Sequence, residues 1–359
     1  MSRVALAITL LLLLAAGCKS IGPGTVVRDR FDYQDALSRS TQEQLLSNLV
    51  RLRYGDAPVF LEVASVINSY SIEGELAVAG GREQGFDRSF LGGTARYGDR
   101  PTITYNPIQG DAFARSLLRP IPPRLVFTFI QAGYQADYVL RLTARALNGV
   151  YNSYHVGTRR READPEFYPL VNAMHRIQSS SAVAFYIETT ENELEPALFF
   201  DVRADPGEYR QDLDYTLATL GLQPGAPRYR LRYGARAESA TELAVLTRSL
   251  FEVFADVASQ IGVPEQDIQA RRVVATPAET LLSDPRLPPE RFGAPIVRIR
   301  ASREPPSGAA VAVRHRGWWF HIDDDDVRSK RMFGFLLLLY GLSEGLGEGR
   351  EPVITIPAK

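Results

Sequence analysis

Cysteine is almost missing from this chain: Cys18 is the only one in 359 residues. A single thiol excludes any disulfide within the chain, so stability must come from packing. Net charge is also nearly absent, with 41 Lys and Arg against 42 Asp and Glu. No global field draws in nucleic acid, which is therefore not expected as a partner. Beyond the first residues no apolar run is long enough to cross a bilayer; Phe333 to Tyr340 contains Gly334 and is bounded by charge. No serine-nucleophile elbow and no S-x-x-K motif with its partners is read from the chain. The glycines of Gly345 to Gly349 follow a helix instead of opening one, so they do not form a dinucleotide cradle. There is no internal repeat at solenoid or propeller periods. No cofactor is expected, and an enzymatic role is the weaker expectation. What remains is an ordinary globular composition, 45% hydrophobic and 23% charged.

The first residues decide the address. Arg3 precedes an apolar run from Val4 to Leu14 broken only by Thr9, and Ala15, Ala16 and Gly17 follow. These are the three parts of a secretory signal, and the run is about half the ~20 residues a transmembrane helix needs. Cys18 directly after the small residues resembles the lipobox of bacterial lipoproteins, with Ala15 where that family prefers Leu. The resemblance implies that residues 1–17 are removed and that Cys18 carries diacyl and amide-linked chains such as palmitate. Each buried CH₂ contributes about 0.8 kcal/mol, so two or three chains anchor stably where one does not. Lys19, standing where an aspartate would retain such proteins at the inner membrane, points to the outer membrane and its periplasmic face. Residues 18–31, with Gly22, Pro23 and Gly24, read as a tether; the eleven residues from Ser20 to Arg30 reach only about 40 Å when extended.

The rest reads as an α/β body of the α+β type, with mixed, largely antiparallel sheets and packed helices in two lobes. The charged stretch Gly157 to Pro165 divides lobe 32–157 from lobe 165–359. In the first lobe, Asp32 to Arg53 is a helix, Gly74 to Gly93 holds two strands, and Arg100 to Tyr105 alternates as a strand. Val59 to Tyr70, rich in β-branched and aromatic residues, fits a strand, while Glu62 to Ile67 also fits a short helix; helix then strand is the expectation. Gly110 to Leu118 and Pro123 to Ala132 are helices; Tyr138 to Val150 fits either strand or helix, and its Val, Tyr and Thr with the hairpin signal Asn148-Gly149 favour strand. In the second lobe, Glu166 to Gln178 is a helix, and Ser181–Thr189 pairs with Pro196–Val202. A helix runs from Asp205 to Leu220, and Arg228 to Tyr233 is a period-two strand. Leu243 to Ile261 reads as one amphipathic helix capped by Ser239 or Thr241. The proline-rich stretch 274–295 reads as a surface loop. Strands 296–301, 309–314 and 318–322, a buried helix 327–342 behind Asp323 to Asp326, and a last strand 353–356 complete the lobe.

Four sets of residues are candidates for chemistry. Arg228, Arg230 and Arg232 share one strand face, as do Arg298 and Arg300. If those strands lie in one sheet, the guanidinium groups form a possible anion-binding face for phosphate or carboxylate. His315, His321 and Asp323 supply N and O donors, but the plain reading is a polar edge beside a helix cap, and no metal site is expected. Glu188, Glu191, Glu193 and Glu195 crowd a turn where solvated charge is the default, although glycosidases do use paired carboxylates. His155 and His175 read as surface or satisfied histidines. No catalytic residue is assigned.

The strings VRLRYGDAPVFLEV (Val50 to Val63) and VAVRHRGWWFHIDDDD (Val311 to Asp326) are similar to those of a family of uncharacterised proteobacterial lipoproteins. That resemblance implies no activity or site residue. The expectation is an outer-membrane-anchored binding or assembly accessory of the cell envelope with an envelope protein partner. The alternatives are an envelope glycan or glycolipid hydrolase using a carboxylate cluster, and a lipid carrier.

Overall fold

The computed structural model describes residues 23–67, 70–83, 86–99, 102–156, 159–179, 183–188, 197–202, 207–226, 229–276 and 295–345. Cys18, Arg228, the acidic turn 189–196, most of loop 274–295 and the strand expected at 353–356 lie outside them. Two compact units are present: one combines the chain up to Pro58 with everything from Leu117, and the other is Val59–Ser116.

The larger unit opens with α1 (Pro23–Arg53). Where a tether was expected up to residue 31, the chain is helical from Pro23. Proline suits the first helical position, which has no N–H partner to lose, and Asp35 and Arg39 sit one turn apart with opposite charge. The stripe Leu45, Leu46, Leu49 and Val50 is buried, and Gly55, at φ 75°, ends the turn after the helix.

The smaller unit contains β1 (Leu61–Ile67), β2 (Tyr70–Glu83), β3 (Phe86–Asp99), β4 (Thr102–Pro107) and the short α2 (Gly110–Phe113). The segment 59–70, read as helix then strand, is extended throughout its described part, as its Val and Ile content favours. β1 pairs antiparallel with β4 and β2 with β3.

The larger unit continues with α3 (Pro123–Gln131), α4 (Ala136–Thr143), β5 (Ala144–Leu147), β6 (Val150–Tyr151), β7 (Tyr154–Val156), β8 (Arg159–Arg161) and α5 (Phe167–Ser179). It goes on through β9 (Val183–Glu188), β10 (Ala197–Val202), α6 (Arg210–Thr219), β11 (Tyr229–Tyr233), β12 (Glu242–Thr247), α7 (Leu250–Ser259) and α8 (Glu265–Gln269). β13 (Arg300–Ser302), β14 (Ala309–His315), β15 (Trp318–Asp323) and α9 (Val327–Gly345) finish the described chain. Among the described residues the main sheet has six strands in the order β6-β5-β12-β11-β10-β9, with β11 and β12 parallel and the other pairs antiparallel. A second sheet runs β13-β15-β14, all antiparallel. The architecture is α+β.

Three expectations need correction. Tyr138 to Val150 is not one strand: α4 occupies its first half and β5 its second, with Asn148 and Gly149 at positive φ joining β5 to β6. Val139, Leu140 and Leu142 are buried, and so short an apolar run does not reveal its own period. Leu243 to Ile261 is not one helix. Leu243, Ala244 and Val245 are fully buried in β12, a strand covered on both faces. The helix starts at Leu250, behind a capping box in which Ser249 Oγ accepts from the Glu252 N–H and Glu252 accepts from the Ser249 N–H. Finally, the stretch 157–165 does not separate two lobes. β5 from before it pairs with β12 from after it, and the segment that stands apart is 59–116.

Candidate functional site

The arginine rows part company. Arg230 and Arg232 belong to β11 of the main sheet, whereas Arg298 precedes β13 and Arg300 begins it, in the three-stranded sheet. They do not make one anion-binding face, because their strands never share a sheet. Local carboxylates also engage three of the four: Arg232 pairs with Glu238 and lies 4.0 Å from Glu242, Arg300 Nη1 lies 2.8 Å from Asp323, and Arg298 Nη1 lies 4.0 Å from Asp326. Arg298 and Arg300 line an open groove of about 730 Å³ with Asp323 to Asp326. Asp326 is the helix cap: its oxygens accept from the Ser329 N–H at 3.0 Å and the Ser329 hydroxyl at 2.8 Å. Burial pushes its carboxyl up, but the two Ser329 bonds and the nearby arginines outweigh that and hold it below the usual range.

The two histidines of the last hairpin do not converge on one centre. His321 Nε2 lies 3.3 Å from Asp323, while His315 Nε2 lies 3.3 Å from Asp56, at the far end of α1. This second contact belongs to a junction that sequence reasoning missed. Asp56 accepts from Arg316 Nη2 at 2.9 and 3.1 Å. Arg316 stands over the Tyr54 ring at 5.3 Å, and Tyr54 packs against His315 and Phe320. The Tyr54 hydroxyl donates to Asp267 at 2.7 Å, and Asp267 also takes Arg272 at 3.0 Å. Burial first, then the Asp267 contact, pushes the Tyr54 hydroxyl far above its ordinary pKa, so it stays a donor. Burial lowers the pKa of His315, and Asp56 opposes this only in part.

Arg316 and Gly317, both at positive φ between the paired residues His315 and Trp318, form the two-residue turn that places the guanidinium there. The signal was available: Tyr54 and Asp56 lie in one of the two strings singled out in the sequence, and His315 and Arg316 in the other. The structure makes the two strings neighbours.

A second buried network holds the main sheet. Arg248, fully buried, donates to Asp256 at 2.9 Å, to the carbonyls of Leu142 and Arg141 at 3.3 and 3.4 Å, and to that of Ser153. Asp256 also lies 3.4 Å from His155 Nδ1. Burial pushes the Asp256 carboxyl up, but the Arg248 charge and then His155 hold it below the usual carboxylate range. His175 lies 3.8 Å from Asp137. Arg248, Asp256 and His155 fix the crossing of α7, β7 and the α4–β5 corner.

One string needs reassessment. Gly341-Leu342-Ser343-Glu344-Gly345 fits G-x-S-x-G, contrary to the reading that no elbow motif is present, but it forms the last turn of α9. A nucleophile elbow needs a sharp strand-to-helix turn, which this is not. Glu188 ends β9, and its three acidic neighbours lie outside the described residues. Among the described residues no group of three or more His, Cys, Asp or Glu is placed to hold a metal ion, and no helix is long and apolar enough to cross a membrane. No family model, curated protein or solved structure matches the chain.

Proposed function

We propose that this chain is a lipoprotein anchored through Cys18 to the periplasmic face of the outer membrane, and that its body is a binding and assembly module of the cell envelope. Support for the anchor comes from the sequence: a basic start, a short apolar run, small residues and a cysteine. Support for assembly comes from the smaller unit. β4 is exposed along its whole length, and Val59, Leu61, Ile103 and Tyr105 are exposed large hydrophobics on or beside the β1–β4 pair. A two-stranded sheet is marginal in water by itself, and clustered exposed apolar side chains favour a covering partner.

The test has two arms in intact cells. Palmitate label and membrane sedimentation are expected to be lost in Cys18→Ser. Crosslinking through residues of β4 is expected to recover reproducible envelope partners. Label that persists without the thiol overturns the anchor. Absence of any partner, with the purified body cleaving envelope glycan, overturns the assembly role.

A further inference from the structure

Resting on the assembly role just given, we propose its partner: a second copy of this chain, joined through the β2–β3 ribbon with β2 of one copy antiparallel to β3 of the next.

The ribbon and the β1–β4 pair share one register. Ile67 lies opposite Thr102 and Tyr70 opposite Asp99 in unchanged register, and pairing runs on to Glu83 opposite Phe86 at the tip. β2 and β3 have 14 residues each. At ~3.4 Å per residue that is about 45 Å of strand, well beyond the usual five or six residues. Among the described residues no third strand joins either edge. Each edge therefore offers a long row of backbone N–H and C=O groups, which is a template for another chain. Neither strand contains the lysine or proline that commonly blocks such pairing.

The register also says which edge meets which. Tyr70, Ile72, Leu76 and Val78 occupy alternate positions of β2, opposite Asp99, Tyr97, Gly93 and Leu91, so one face is mostly apolar. The other face has acidic positions on β2, at Glu73, Glu75 and Glu83, and basic positions on β3, at Arg88 and Arg96. Glu73 lies opposite Arg96 within the hairpin. Setting β2 of one copy beside β3 of the next repeats that match between copies. Pairing β2 with its own copy about Gly74 instead sets Glu73 against Glu75, and like charges directly opposite destabilise. The contact is thus heterologous, head to tail, with every apolar face on the same side, and it builds a ring or an open array.

The experiment is a charge swap divided between two populations of the full-length chain. Glu73→Arg alone and Arg96→Glu alone place like charges opposite one another, within the hairpin and between copies. Mixed together, Arg at position 73 of one variant meets Glu at position 96 of the other. Size by light scattering and crosslinked fraction are the readouts, with circular dichroism as the folding control. Wild type is expected to be larger than a monomer. Each variant alone is expected to lose assembly several-fold, and the mixture to regain most of it. A monomeric wild type, single variants that assemble like wild type, or a mixture no better than its components overturns the pairing. Self-pairing that fails while envelope partners are still crosslinked leaves the assembly role standing with another partner. Pairing that survives when Cys18→Ser keeps its label overturns only the anchor.

Discussion

The two units differ in how much they bury. The larger unit sinks an arginine, Arg248, completely beneath its sheet and matches it with Asp256 and three carbonyls. Among the smaller unit's residues with described surroundings only Phe60 and Ile108 are buried, and the ribbon's register sets Glu73 opposite Arg96. A group can be buried with its counter-ion only where surrounding atoms hold both in place. Where such support is missing, the match has to come from the opposite strand or from another molecule. A core turns charge into rigidity, whereas a ribbon can match charge only across strands.

The sharpest way to break this contrast is Arg248→Met. It strands the Asp256 carboxylate and should cost about 3–5 kcal/mol by denaturant unfolding, while Arg248→Met with Asp256→Leu should recover most of the loss. Next comes Leu49→Ala, which empties a fully buried position of α1 and should cost about 2–5 kcal/mol. Ile103→Ala, at an exposed position of β4, should change the unfolding of isolated chains by less than about 0.5 kcal/mol while lowering crosslinking. Removing the cap with Ser249→Ala should cost about 1 kcal/mol.

The smallest effect is a pH dependence. The folded pKa of His315 lies below its unfolded value near 6.5, so between the two the unfolded chain binds more protons. Its contribution is complete above that value and is lost as pH falls toward the folded pKa. His315→Gln should flatten the stability curve just below pH 6.5. Asp256 behaves likewise in a lower window: its depressed folded pKa gives stability that is present above the ordinary carboxylate range near 4 and is lost on further acidification.

How legible this was in the sequence depended on range. The hairpin turn at Asn148-Gly149 and the strand Tyr229 to Tyr233 were readable because a few adjacent residues set them. α7 was misread because Leu243, Leu246 and Leu250 fit a helical step across a strand-to-helix junction, although Ser249 and Glu252 carried the capping signal that marks the true start. The candidate site was less readable. Arg230 and Arg300 each showed a local alternation, but which sheet a strand joins is decided by partners far along the chain. The Asp56–Arg316 contact closes 260 residues of sequence, and no local pattern encodes that closure.

The front of α1 has a mechanical meaning. Residues 30–41 are exposed or half-buried, and the seated stripe begins only near Leu45. A helix rises about 1.5 Å per residue, so those twelve form a strut of roughly 18 Å, where a slack chain would have let the body wander. Tension applied at Pro23 travels down hydrogen-bonded turns to the foot of the strut, where Tyr54 and Asp56 grip the Arg316 turn. The buried stripe from Leu45 to Val50 is the first fastening such a load would test, and the grip on the Arg316 turn is the next.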